Sequence, residues 1–560
     1  MIKKILSILG VTSLLFAVSC RQDGVELENA ASNNNDLILN SDVNLLSKRI
    51  DFKNSGILNL NMGLGHRGDV ARAGDFPLVL VAELAPPVYE GKTLRATHVA
   101  VEGNYAYVSY NTEGPSYLGA IEVIDITNPN VPKLVMQAIT PNIDISAVRY
   151  DNGELYVAGA TDVDVSNTKT AAFVARMTLS GGLLSNSFVN TALPGKVGTD
   201  VTTNTARYYA VSGATGTLSQ LNKADNKIEF SISLPDLRAV GINGNKIVVL
   251  SGTDGVKVFD ANGLTPVSSF AAYTDIAEAK RTIDFMGEKL LVSQGKNGVA
   301  VYNLNSGTKI QTLPLPTAVP GVDEQDIVTN GVSVNADKVF VANGGAGLYV
   351  YENKAGQLDL LGSIDLQGSS NYVMSKGDYI FVASGTGLKI IKYVAPENGV
   401  VNCSSYAQYT GGEWLNVNSG QTLEFGGTKS LKGINVNQML SWCGALTATE
   451  GVNVNSNATF NMYGKLYQGS QQNPWNALNI NSGSLFNLEG DLTTYGNMTL
   501  NSNGTLKVKG NVTIFGDLTL NQGSKIEFVG TGSTITIHGK VTKNGTSTIT
   551  GTYSDTNHKL

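Results

Sequence analysis

The sequence predicts an all-β protein, a seven-bladed β-propeller followed by a C-terminal parallel β-solenoid. Three observations predict it. The 560 residues hold 62 Gly and only 15% charged side chains, a composition that suits short strands and tight turns better than long charged helices. A unit of about 46 residues recurs over 76–395, and a unit of about 19 residues recurs from 411 onward. The chain exceeds the roughly 250–300 residues that one hydrophobic core supports, so the two repeats read as two domains.

The chain opens on a leader. Lys3 and Lys4 precede an apolar run, 5–18, which is short for a spanning helix, and Phe16-Ala17-Val18-Ser19-Cys20 closes it. This stretch resembles the lipobox of bacterial lipoproteins, where a small residue precedes a Cys that is lipidated before cleavage; Ala17 stands where that box more often has Leu. The resemblance implies a signal peptide over 1–19 and fatty acyl chains such as palmitate on Cys20, each buried methylene contributing about 0.8 kcal/mol of membrane affinity. Arg21, where inner-membrane retention would want Asp, implies by the same resemblance the outer membrane, and the expected facing there is the cell exterior, which Arg21 does not itself decide. Cleavage removes Lys3 and Lys4, so the net charge of −6 becomes −8. Residues 20–75 are expected to be the lipidated Cys and a flexible tether, because 22–44 are polar and Asn-rich and bury too little to order themselves.

The propeller is expected over 76–395. Its unit is a strand, a turn, a second strand of the type NYAYVSY (104–110), a Gly-rich turn, a third strand of the type GVKVFD (255–260), and a fourth. Seven copies are visible, two of them irregular (153–184 and 206–233). Alternating apolar residues turn one face toward the neighbouring blade, and Gly supplies the turns. The last copy lacks a fourth strand, since Pro396-Glu397-Asn398-Gly399 breaks the chain after Val394. The apolar run 77–84 is expected to fill that slot and close the ring, which removes an exposed edge. The segment IEVIDITNPNVPKLV (121–135) resembles the LVIVD-repeat propellers of surface lipoproteins, especially of Bacteroidota. That resemblance covers the propeller alone, and the other blades lack its Asp-Ile-Thr-Asn-Pro turn.

After a linker or cap at 396–410 the composition changes, with 21 Asn and only 17 charged residues over 399–560. The second Asn of each unit falls at Asn418, Asn437, Asn455, Asn481, Asn501 and Asn521, and the longest step holds an insertion at 467–475. Steps near 19 suit solenoid coils of two or three short strands, with stacked Asn side chains satisfying one another at the corners. Cys403 and Cys443 are expected to form a disulfide in a compartment that permits one. Forty residues amount to two coils, and strands two coils apart lie about 9.6 Å from each other, so the bond requires the segment before the first coil to fold back as a cap.

Candidate chemistry is sparse. The Gly63-Leu64-Gly65-His66-Arg67-Gly68 run has the glycines of a phosphate cradle but no following helix, and reads as a loop. Asp162 and Asp164 resemble the opening of a Ca²⁺ loop, whose closing acid is replaced by Phe173; a solvated blade loop is preferred. The inner strands should begin near Arg95, His98, Asp144, Asp200, Asp236/Arg238, Lys280/Arg281, Asp323/Asp326 and Asn371, so these groups could ring one channel mouth and hold a ligand. Blade-to-blade ion pairs are the preferred alternative. His98 is the sole propeller His and Trp414, Trp442 and Trp475 all lie in the solenoid, so no metal or quinone pocket is visible, and G-x-S-x-G is absent. No enzyme and no cofactor is expected. The acidic balance, free of basic clusters, argues against nucleic acid. The favoured reading is an outer-membrane lipoprotein acting as a protein-interaction scaffold or complex subunit. Glycan or matrix binding through the three Trp is the alternative, and an enzyme at the channel mouth the weakest.

Overall fold

The computed structural model describes residues 37–61, 74, 76–128, 130–166, 168–186, 188–213, 215–272, 280–394 and 403–560. Cys20 and the glycine-rich run at 63–68 lie outside them. Seven antiparallel sheets form the propeller, each with a regular core of four strands. Their innermost strands are Arg95–Glu102, Ile143–Asp151, Gly198–Thr203, Leu237–Asn243, Ile283–Met286, Gly331–Asn335 and Ser370–Lys376, for blades 1 to 7. Alternation in strands such as Lys246–Ser251 turns Ile247 and Val249 toward blade 3 and Val248 and Leu250 toward blade 5, so each blade feeds two apolar interfaces.

The ring closes on blade 7. Its fourth strand is Leu78–Leu84, antiparallel to Gly387–Tyr393 with Leu78 opposite Tyr393 and Leu84 opposite Leu388. Every residue of Leu78–Leu84 is buried except Glu83, which pairs with Lys389.

Residues 37–61 depart from the expected tether. They form a strap over the outer edges of the closing blades: Ile38–Asn40 pairs with the outer strand of blade 1, and Ile50–Asp51 and Gly56–Leu58 both pair with Leu78–Leu84. Asn61 then bridges Ser363 on the outer strand of blade 6. The polar composition hid short aliphatic pairs that suffice when a waiting sheet edge supplies the rest of the hydrogen bonding.

In the solenoid each regular coil has one ten-residue strand, such as Thr459–Gln468, and one short strand, such as Val452–Val454. All pair in parallel with the coil above and below. The long strand bends at a glycine column, Gly427, Gly444, Gly464, Gly490 and Gly510, with φ from 97° to 139°. Leu440, Trp442, Phe460, Met462, Phe486 and Leu488 fill the core, where Phe460 and Phe486 stack at 5.0 Å. The asparagines form the corner ladder: Asn455, Asn481, Asn501, Asn521 and Asn544 each donate to the Asn one coil before, at 2.8–3.2 Å.

The two domains share a core. Ala445, Tyr467, Tyr495 and Phe515 of the solenoid are buried in one cluster with blades 1 and 7 and the strap. Phe52 of the strap meets Phe515 at 6.0 Å, Gly56 bridges Ser470, and Asn130 of blade 1 donates to Thr493 at 3.3 Å.

Candidate functional site

The channel was the leading candidate, and its polar side chains are largely committed to joining blades. Thr97 Oγ1 donates to the Ile145 carbonyl at 2.8 Å, from blade 1 to blade 2. Asp200 accepts from Val240 N at 3.0 Å, from blade 4 to blade 3, and Asp284 accepts from Val334 N at 2.7 Å, from blade 6 to blade 5. Ser333 Oγ accepts from Ser375 N at 2.9 Å, joining blades 6 and 7. Asp200 and Asp284 each also accept from the amide of the next residue at 2.8 Å, a shared motif that locks the carboxylate toward its neighbour. Burial pushes both carboxyls up, while these amides and Arg149 pull them down.

Lys280 lies across this end. It enters at blade 5, and its Nζ donates to the carbonyls of Thr97 at 2.6 Å and Ser146 at 2.8 Å, on blades 1 and 2. The ammonium also sits 5.0 Å from the centre of the Tyr372 ring, which packs on His98 at 4.2 Å. Burial, opposed by Asp200, lowers the Lys280 amine to about 8. Burial first, then Lys280 and Arg149, holds His98 well below the ordinary imidazole range, so it is neutral at pH 7.

The expected ring therefore divides. His98, Asp200 and Lys280 do meet, joined by Arg149, Asp284 and Tyr372, which sequence reasoning missed. The signal for Asp284 was its match to Asp200, each an inner-strand Asp followed by an apolar residue; Arg149 and Tyr372 had none. Arg95 instead pairs with Glu113 at 2.5 Å on the exposed rim. Asp144 accepts from Leu118 N at 3.0 Å and is pushed up to about 6 by burial. Arg238 pairs with Asp236 at 2.7 Å, and buried Arg281 donates to the Ser293 carbonyl at 3.1 Å. Asp326 and Asp323 sit exposed at a 3₁₀ turn, where Asp323 caps Gln325 N, and Asn371 accepts from Ser369 Oγ.

Elsewhere, Asp162 caps the short helix Val163–Ser166, accepting from Asp164 N at 3.0 Å. Among the described residues no cluster of three or more His, Cys, Asp or Glu could hold a metal ion. Cys403 and Cys443 are bonded, with Cα atoms 5.4 Å apart. The reach is achieved because the turn Cys403–Ser405 folds over Gly426, which pairs with Cys443 and has no side chain in the way. Of the three expected stacking Trp, Trp442 is fully buried and is a core residue, its Nε1 donating to the Gly427 carbonyl. Trp414 is 39% exposed and Trp475 72%.

The fold thus defines a seven-bladed propeller carrying a β-solenoid as a second rigid surface. Residues 147–401, blades 2 to 7, match the propeller family PQQ_2, described as outer membrane protein assembly factor BamB. The segment that resembles LVIVD repeats, 121–135, lies outside that match. Among solved structures, that of the computationally designed Ika8 protein is similar at 12% identity and a TM-score of 0.36, covering 61% of this chain and 97% of that one. A search of curated proteins finds no match.

Proposed function

We propose that the protein is a lipid-anchored, non-catalytic scaffold at the outer membrane, an accessory subunit of an assembly that handles outer-membrane proteins. The observation that carries this reading is the similarity of blades 2 to 7 to the outer membrane protein assembly factor BamB family. Two features support it. Buried channel carboxylates such as Asp200 and Asp284 are spent on joining blades, and propeller and solenoid share a core, so the chain offers large faces in a fixed relative position. In this reading Cys20 carries the acyl anchor, and the protein faces the cell exterior. Among the described residues no helix is long and apolar enough to cross a membrane.

Purification from gently solubilised native membranes should recover the protein with a reproducible set of outer-membrane partners; recovery always as a lone monomer would sink the reading. Cys20→Ala should leave the protein soluble or unprocessed, because the acyl chains are the attachment in this scheme. Persistence of that variant on salt-washed membranes would show that a protein, not lipid, holds it there.

A second reading, glycan or matrix binding, draws on the exposure of Trp475 beside Pro474 on a loop fixed by its own backbone bonds, Asn476 N to the Asn473 carbonyl at 2.9 Å. A glycan array comparing the parent with Trp475→Ala discriminates: an absent or unchanged signal rejects it.

A further inference from the structure

The strap has a direction. Read from Asn61 back toward the N-terminus, it bridges the outer strand of blade 6, lies on blade 7 through Gly56–Leu58 and Ile50–Asp51, and pairs with blade 1 through Ile38–Asn40. The next step in that direction is blade 2. The described chain begins at Leu37, whose side chain is buried in the interface of blades 1 and 2 with Ile121, Ile143 and Met177. Beside Leu37 a cavity of about 30 Å³ remains, reaching Phe173, Met177, Phe188 and Asn190 of blade 2. Nearly all of its lining side chains are apolar, so it suits a small aliphatic side chain better than water, which needs polar partners.

The other outer strands are blunted. Blades 3, 4, 5 and 6 each break register between the third and the outer strand, a bulge that twists an edge away from new partners. Blade 3, where Phe230 is exposed, also turns Glu229 inward onto Arg207, and the outer strands of blades 4 and 5 open with Pro266 and Lys309. Blades 1 and 7 break register too, and the strap covers them. Blade 2 alone pairs without a shift, from Phe173 opposite Ala192 to Met177 opposite Phe188. Its edge, Phe188–Ala192, has the sequence FVNTA, with no charge and no Pro, and among the described residues no strand lies on its outer side.

Upstream of Leu37 and after Cys20, the sequence holds one alternation of larger aliphatic residues, Val25-Glu26-Leu27-Glu28. In an extended chain Val25 and Leu27 share a face, and both glutamates take the other. The eight residues 29–36 reach about 27 Å when extended, several strand spacings of about 4.8 Å. We propose that Val25–Glu28 continues the strap onto blade 2, adding as a strand beside Phe188–Ala192 with Val25 and Leu27 turned toward the cavity next to Leu37. Backbone pairing holds the segment and the cavity selects its aliphatic face. The seating goes beyond the scaffold reading and does not depend on it. Where Cys20 carries the anchor, only the four residues 21–24 separate lipid from strand, which brings the blade 2 edge of the propeller against the membrane.

The test places photoreactive benzoylphenylalanine at position 189 of the full chain, where Val189 is 50% exposed on the edge, irradiates native membranes and maps the adducts. The expected adduct joins position 189 to residues 24–28 of the same chain. In the purified full chain, Val25→Asp combined with Leu27→Asp should let the outward amides of Phe188–Ala192 exchange at least tenfold faster than in the parent, while Ile38–Asn40 keeps its protection. An adduct on another protein, on a second copy or elsewhere in this chain would overturn the proposal, and so would exchange equal in parent and variant. The adduct should form equally in Cys20→Ala, so failure of the anchor reading leaves this inference standing. An adduct lost in that variant would show that the membrane, not the chain, brings the two segments together, and would overturn it.

Discussion

Arg49 carries more than its place in the strap suggests. Its guanidinium reaches Glu122 on blade 1, a carboxylate with no solvent exposure that also accepts from Gln137 at 2.6 Å. Truncating one partner of a buried pair leaves the other charge uncompensated. Arg49→Ala should therefore lower stability by about 3–5 kcal/mol in urea unfolding. A loss within about 0.5 kcal/mol, the scale of ordinary surface changes, would mean that the pair does not hold the strap. Lys280 gives a pH signature. Unfolded, the amine keeps its proton up to about 10.5; folded, it releases it from about 8. Between these values the unfolded state binds more protons, so this group makes stability rise with pH. The variant Lys280→Met lacks that rise, and the stability of the parent relative to it should grow from pH 8 to pH 10 in urea midpoints. A constant difference across that range would refute the assignment.

At the scale of the element, the solenoid depends on its glycine column. Gly490 adopts φ 134°, and a Cβ there would collide with the Gly464 carbonyl of the preceding coil. Neighbouring strands are held about 4.8 Å apart by their ladder, so the backbone has little room to yield. Gly490→Ala should cost about 3 kcal/mol or more, combining an unfavourable φ with overpacking. Gly385→Ala in a propeller turn, where a Cβ meets nothing within 4 Å, should change stability little and serves as the control. Equal melting of the two variants would show that the column tolerates side chains. In the sequence Gly444, Gly464, Gly490 and Gly510 recur as the glycine that ends each repeat unit, where a glycine reads as a corner; only the stacked register places them inside the long strand.

At the scale of the molecule, closure and domain docking occur at the same place. Blade 7 borrows Leu78–Leu84, the strap lies over that strand, and the solenoid packs on the seam through Tyr467, Tyr495 and Phe515. A chain beginning at residue 85 would lose the strap and the closing strand together. It would expose the edge of Gly387–Tyr393 and uncover the buried solenoid aromatics. Each buried aliphatic side chain contributes about 1.5–3 kcal/mol, so the loss is large against a net stability of about 5–15 kcal/mol. Calorimetry should show the melting temperature lowered by roughly 10 °C or more, with aggregation, at about 2–4 °C per kcal/mol for domains of this size. A truncated chain that melts as late and as cooperatively as the full one would reject the closed ring. The solenoid should also be perturbed, contrary to what its one-dimensional repeat alone implies, because part of its outer surface is core.

What the sequence by itself determined about this protein is its periodicities. Repeats of 46 and 19 residues, alternating apolar positions and a missing fourth strand before Pro396 specify two β architectures, because each repeat must bury one face on a copy of itself. What only the tertiary structure decided lies between repeats and outside them. The strap at 37–61 has too little apolar surface to signal order alone and is organised by edges that exist once the blades have formed. Trp442 reads as a binding platform until parallel stacking turns it inward, and the candidate ring scatters because its members find different local partners, Arg95 on Glu113 at the exposed rim and Arg238 on Asp236. Local pattern sets which face of a strand is apolar; the partner that covers it, or leaves it bare as at Phe230, is set by contacts between residues far apart in the chain.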